Sequence, residues 1–471
     1  MPILDVLKPI KSAHLSLGPI PHNESSNSGN LMVLENIFVQ QYRLDESAFK
    51  DRLFLIYGDQ KTTQRIRTIK RRRRRATQPY DRLQWALEVP AMFHLRMNYI
   101  FMISRVYFGG YGQDYSTLYD HMNFWGRKKI RKEKADFFAL EELIIHSFKA
   151  RIVALLWKFT AQLKIGKSKS KSYDDINAVL SSQRVDGFLA LVDQIAEVYA
   201  IKEASSINDD EFRGHILFLQ EVQTYLLLKY AIKHADLGLL QRAIDRCCIY
   251  FHGSGQHKYA YEMLYLQRLI STSAASPPLQ RAILANGLVN LRGQPDSWFE
   301  IDRLVEFHNG DMKEHFKAKR GPSADLDFLF QYCSLNSAYF KALGEYIEKR
   351  YSTRANSYHT TKPARSDITA MAERLFSGDS ITLKSGRVVR HPAPDVYAIG
   401  ALRLGGDVLA VFNSKECDGD ILGGLEEDSK EYDGDLLGGL EEDNIRDDVS
   451  CFFEATGTDS ELDSGSDSDL D

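Results

Sequence analysis

The sequence predicts an α+β fold that is mostly α-helical: an irregular helical body with a small β-sheet or hairpin, followed by a disordered acidic C-terminal tail. Three observations carry this expectation. Apolar residues recur at helical spacing through most of the body, β-rich runs are confined to two short places, and charge is segregated along the chain. From Lys415 to Asp471 there are 21 acidic residues against 3 basic ones, a balance of −18. The preceding residues therefore carry +14, although the 471-residue chain sums to −4.

Taken in order, residues 1–30 read as an N-terminal extended segment ending in the turn-rich HNESSNSGN. The body is assigned to residues 31–411. A helix is expected from near Leu31, where LMVLENIFVQQYRL has helical spacing. The apolar run Arg52 to Gly58 reads as a buried strand that delivers Asp59 to its C-terminal end. KTTQRIRTIKRRRRR has helix-forming residues but is so basic that an exposed helix or loop is expected. Pro79 and Pro90 bracket a short segment around Trp85, and AMFHLRMNYIFMISRVYF from Ala91 is apolar on most faces, which implies a largely buried helix. Further helices are expected over about 136–163, 173–203, 210–251, 258–271, 278–291, 298–319 and 325–350, interrupted by Gly, Pro and Ser clusters. Ile381 to His391 has two β-rich arms around Ser385-Gly386 and reads as a hairpin. Residues 412–471 form the tail, in which KECDGDILGGLEEDS recurs as KEYDGDLLGGLEEDN with a 15-residue period. Two acidic, glycine-rich copies cannot build a core, so disorder is expected there.

The composition excludes several classes. The cysteines, Cys247, Cys248, Cys333, Cys417 and Cys451, show neither CxxC nor Cys/His ligand spacing, which argues against a secreted disulfide framework and a zinc module. No apolar run approaches the roughly 18 to 20 residues that cross a bilayer, and the N-terminus lacks a secretory pattern. An intracellular protein without a membrane partner is expected. Phosphate-binding glycine loops and the GxSxG elbow are absent from the sequence.

The strongest local signal is the run Lys70, Arg71, Arg72, Arg73, Arg74 and Arg75, extended by Lys61, Arg65 and Arg67. Such a run repels itself and demands solvent or an anionic partner; it reads as a nuclear import signal or a DNA- or RNA-phosphate contact. Lys128, Lys129 and Arg131 in RKKIRKEK, and the lysines of KIGKSKSKS, would enlarge the same face. The acidic tail is the competing intramolecular partner of those cations, and Ser460, Ser464, Ser466 and Ser468 stand beside carboxylates as acid-directed kinases prefer. A catalytic or metal-ligating alternative rests on Asp59, Asp302 and Glu306: on a helix, Asp302, Glu306 and Asn309 share one face, and such oxygen ligands suit Mg²⁺ or Mn²⁺. No cofactor is expected otherwise. His94, among apolar neighbours, reads as a core histidine bonded to backbone.

Several of these stretches together resemble a fungal family of unknown function, domain of unknown function sixty-five eighty-nine, found in proteins with the look of mobile-element products. The likeness is carried by LGPIPHNESSNSGN, LFLIYGDQKTTQRIRTIKRR, YDRLQWALEVPAMFHLRMNYIF, LVNLRGQPDSWFEIDRLVEFHNGDMKEHFK and SGRVVRHPAPDVYAIGALRL, in order from about residue 10 to 411. The resemblance implies a relative shortened at its N-terminus, with no established activity to carry over. Its mobile-element context implies an RNase H-like nuclease or transposase as the enzymatic alternative, with Asp59 and the Asp302/Glu306 helix supplying acidic ligands. The leading expectation is a non-enzymatic protein whose basic body contacts nucleic acid; a protein-interaction scaffold is the third.

Overall fold

A computed structural model describes residues 5–15, 17–18, 20–111, 114–127, 130, 136–162, 193, 204–271, 275–320, 342–343, 346–347, 349–351 and 364–405. The helices expected over 173–203 and 325–350 lie outside these residues or reach them at isolated positions, and the tail lies wholly outside.

The N-terminal part is built on a strand-helix-strand unit. Strand β1 (Phe54–Gly58) forms where expected but is half-buried along its length, not buried, and β2 (Ala86–Pro90) pairs with it in parallel, Phe54 opposite Ala86 and Gly58 opposite Pro90. The second strand hides in the sequence because Pro90 cannot donate to a ladder; it is tolerated as the last residue of an edge strand. Ahead of them, α1 (Asn27–Glu35) starts before Leu31 because the Ser26 hydroxyl accepts the Gly29 N–H. It continues into a π-type turn (Asn36–Gln41) that lowers Phe38 onto Phe49, Phe54 and Trp85, at centroid distances of 6.2, 4.8 and 5.0 Å. This aromatic cluster, with Leu34, Ile66, Ile69 and Leu83, is a second core separate from that of the bundle.

Helix α2 (Gln60–Arg72) joins the two strands. It is not the exposed element its charge suggests. Thr63, Ile66 and Ile69, three residues apart, form a buried stripe, and the cations beside the stripe reach inward to buried carboxylates.

After β2 comes α3 (Met92–Tyr107), buried on most faces as expected. It packs with α5 (Phe137–Gln162), α6 (Asp210–His234), α7 (Leu237–Gly253) and α8 (His257–Ser271) around the main core, with the short α4 (Leu118–Phe124) against α5. The single helix expected over 210–251 is two. Ala235 turns left-handed (φ 49°), and the Asp236 carboxylate then accepts the Leu239 N–H to start α7, a break with neither Gly nor Pro to announce it.

Helix α9 (Pro277–Asn286) leads to β3 (Leu288–Val289), antiparallel to β4 (Phe299–Glu300), from which α10 (Ile301–Arg320) starts directly. The last described helices are α11 (Arg365–Ser377), packed on α5, and α12 (Val396–Arg403), packed on α7. The α7/α12 contact is backbone on backbone. A methyl group at Gly253 would meet the Val396 carbonyl oxygen at 1.8 Å, and one at Gly400 would meet that of Ile249 at 1.9 Å.

The hairpin expected over 381–391 does not form. The segment is a chain of turns whose only ladder contact is an isolated bridge from Arg387 to Asp209. A side chain replaces the ladder: the Arg387 guanidinium donates to both oxygens of Asp209 and to the carbonyls of Thr382 and Ser380. Behind it, the fully buried Arg151 donates Nε–H to His215 Nδ1 and Nη2–H to the Ser116 carbonyl. Burial pushes Arg151 down to about 9, still charged at neutral pH. His215 is held neutral, well below its ordinary value, by burial and by Arg151. Its Nε2–H therefore donates to Ser380, which donates to Glu211.

Leu375 of α11 is wholly buried, whereas Leu402 of α12 is 79% exposed. Leu375→Ala should lower the unfolding free energy in urea by about 2 to 5 kcal/mol, and Leu402→Ala should leave it within about 0.5 kcal/mol. Equal, small losses would show that α11 is not part of the cooperative core.

Candidate functional site

Two places gather the residues singled out in the sequence. The first is the C-terminal end of α2. Arg67 donates to Glu262 of α8 and lies over the Tyr265 ring, and Lys70 donates to Glu88 of β2 at 2.6 Å. Burial alone would lower the Arg67 guanidinium, but Glu262 outweighs it and holds the group above its ordinary value. Thr63 and Tyr265 complete the hydrogen bonding of the two carboxylates. These two cations are thus neutralised inside the fold and are not available to an external anion.

The cations that follow are presented differently. Arg72, Arg74 and Arg75 are exposed and have no partner among the described residues. Lys61, Arg65, Arg71 and Arg73 are partly buried. The turn that carries the exposed arginines is pinned from beneath. Arg73 N–H and Arg74 N–H close the last helical turn, and Arg82 donates to the carbonyls of Ala76 and Thr77. Trp85, in the aromatic cluster, donates to the Tyr80 carbonyl. Lys128, Lys129, Arg131 and the lysines of 164–171 lie outside the described residues.

The second place lies where β1 and β2 end side by side. The Ala91 N–H donates to the Gly58 carbonyl at 3.0 Å, so Asp59, capping α2 through the Thr62 N–H at 2.8 Å, stands beside the start of α3. Ala91 has no side chain with which to cap that helix. Asp302 of α10 does so instead: its carboxylate accepts the Phe93 N–H at 3.0 Å, the His94 N–H at 3.1 Å and the His94 ring at Nδ1, also 3.1 Å. Burial would lower the His94 pKa, but the hydrogen bond and charge of Asp302, joined by the charges of Asp59 and Glu306, raise it above its ordinary value. The acidic residues named from the sequence therefore converge in their electrostatic effect on one imidazole.

His94 is the member that sequence reasoning misplaced, as a core histidine on backbone. Its partner is a carboxylate about two hundred residues away, for which the chain carries no local signal. What the arrangement can do follows from its bonds. Nδ1 is occupied by Asp302, and Nε2 makes no hydrogen bond to a described residue, so an oriented histidine-carboxylate pair with residual exposure of 15% can accept or release a proton there. The fit to a metal ion is poor: both Asp302 oxygens already serve the first turn of α3, and among the described residues no three His, Cys, Asp or Glu side chains stand where they could hold one.

The profile of a family of unknown function, DUF6589, matches residues 1–359. The chain belongs to that family. No curated protein and no solved structure matches it. Asp59, Arg72, Arg74, Arg75, His94, Asp302 and Glu306 all fall within the matched span. The likeness drawn through SGRVVRHPAPDVYAIGALRL extends beyond it, where α11 and α12 pack into the main core of this chain.

Because the folded His94 pKa is raised, the pair contributes stability that is fully present below an unfolded value of about 6.5 and is lost as pH rises through the folded value. His94→Gln should therefore destabilise more at pH 5.5 than at pH 8.5, read from urea midpoints. Asp302→Ala should cost about 1 to 3 kcal/mol at both, since the α3 N–H groups lose their acceptor regardless of protonation. An identical His94→Gln loss at the two pH values would overturn the charged-pair assignment.

Proposed function

We propose that this member of the family is a non-enzymatic, nucleus-directed protein of mobile-element descent that contacts the phosphate backbone of DNA or RNA through the arginine turn at the end of α2. One observation carries the reading: the fold neutralises Arg67 and Lys70 with buried carboxylates but leaves Arg72, Arg74 and Arg75 exposed on a turn braced by Arg82. Guanidinium groups held on a braced turn lose less conformational freedom when they meet phosphates than those of a mobile loop. No helix among the described residues is long and apolar enough to cross a membrane.

The enzymatic alternative is metal-dependent phosphoryl transfer at Asp59, Asp302 and Glu306. It draws support from their convergence on His94, and none from their coordination geometry. Titration with Mn²⁺ decides it: saturable binding that Asp59→Asn abolishes, together with cleavage of DNA or RNA, would replace the binding reading with this one.

For the primary reading the test is the salt dependence of binding to a generic duplex. Each phosphate contact contributes about 0.9 to the slope of log K against log salt concentration. Replacing Arg72, Arg74 and Arg75 together by Gln should flatten that slope by about 2 to 3 units and leave the urea midpoint unchanged. A slope identical to that of the parent chain would remove the turn from the interface.

A further inference from the structure

Resting on the polyanion reading, we propose that the arginine turn Arg72–Arg75 is the docking surface for the chain's own acidic segment Lys415–Asp471, which covers it in the absence of nucleic acid. Charge selects both members of the pair. The acidic segment carries −18, and each of its two repeats has six acidic residues flanking an ILGGL or LLGGL core. The fold satisfies Arg67 with Glu262 and Lys70 with Glu88 and keeps Lys61, Arg65, Arg71 and Arg73 partly buried, whereas Arg72, Arg74 and Arg75 are the exposed arginines of the run. The segment is thus directed to one turn of the body and not to the basic run as a whole.

Reach does not limit the contact. A chain of 57 residues spans up to about 190 Å when extended, several times the radius of gyration of about 21 Å expected for a folded body of this size. Tethering in the same molecule sets an effective concentration in the millimolar range, so a contact of modest affinity between separate molecules competes with phosphate. The competition has a sign. Nucleic acid displaces the segment when it offers more phosphates than the segment offers carboxylates at the turn, so a long duplex is favoured over a short oligonucleotide.

The experiment uses the full chain in which the acidic residues of both repeats are replaced by their amides, titrated with a fluorescent peptide of sequence Lys415–Asp471. The expected result is saturable binding at low salt that weakens about tenfold when Arg72, Arg74 and Arg75 are also changed to Gln. Peptide binding that ignores the three arginines, or none at all, overturns the inference. A second arm measures duplex binding by the same chains. If the peptide docks on the arginines while the duplex does not bind any of them, the docking stands and the nucleic-acid reading falls. If the duplex binds through the arginines with equal affinity whether or not the repeats are neutralised, the reading stands and the docking falls.

Discussion

The carboxylate of Asp302 on the first turn of α3 is the interaction that organises the rest of the molecule. Helix α3 runs through the main core, and its N-terminus sits where the parallel strands end. The Phe93 and His94 N–H groups there need an acceptor, and Ala91 has no side chain that supplies one. Asp302 does so from α10, while Glu300 two residues earlier takes Arg96 one turn further along α3. The two carboxylates follow directly on β4: Glu300 is its last residue, Asp302 lies in the first turn of α10, and Ile301 between them is tied by its N–H to the Gly287 carbonyl. The position of α10 and the field around His94 both follow from this grip.

A second constraint concerns the treatment of charge. The inner face of α2 is glued to β2 and α8 by Lys70–Glu88 and Arg67–Glu262, and removing one member of such a pair leaves a buried charge without compensation, a loss of about 3 to 5 kcal/mol. Arg72, Arg74 and Arg75 beyond it have no such partners among the described residues. One helix therefore performs two tasks with the same residue types, and the difference lies in what stands opposite each side chain. The basic character of the body is in part internal, so its formal charge overstates what an external polyanion meets.

Much of the architecture was legible. A short apolar run located β1, apolar residues on most faces located α3, and helical spacing located α5 and α8. Strands β3 and β4 stand where the expected helices over 278–291 and 298–319 were to end and begin, and three further features escaped for separate reasons. The break at Ala235 is made by an αL turn and an Asp cap that carry no Gly or Pro signal. Strand β2 ends on a proline that ordinarily argues against a strand. The segment 381–391 has hairpin-like residues, yet its conformation is set by Arg387 reaching Asp209 across 178 positions of sequence. For the candidate site, the acidic residues were legible as types and spacings, but not His94, whose role depends on a carboxylate with no fixed relation to it in the chain.

By itself the sequence determined the helical class, the segregation of charge between body and tail, and the presence of Asp59 after a strand and of Asp302 and Glu306 on one helical face. These are properties of local periodicity and composition, which do not depend on what the chain meets elsewhere. Only the tertiary structure decided which cations are neutralised, which carboxylate caps which helix, and that α11 and α12 belong to the core. Each of those outcomes requires two groups distant in sequence to lie within hydrogen-bonding or van der Waals reach, and that proximity is a property of the packed chain alone.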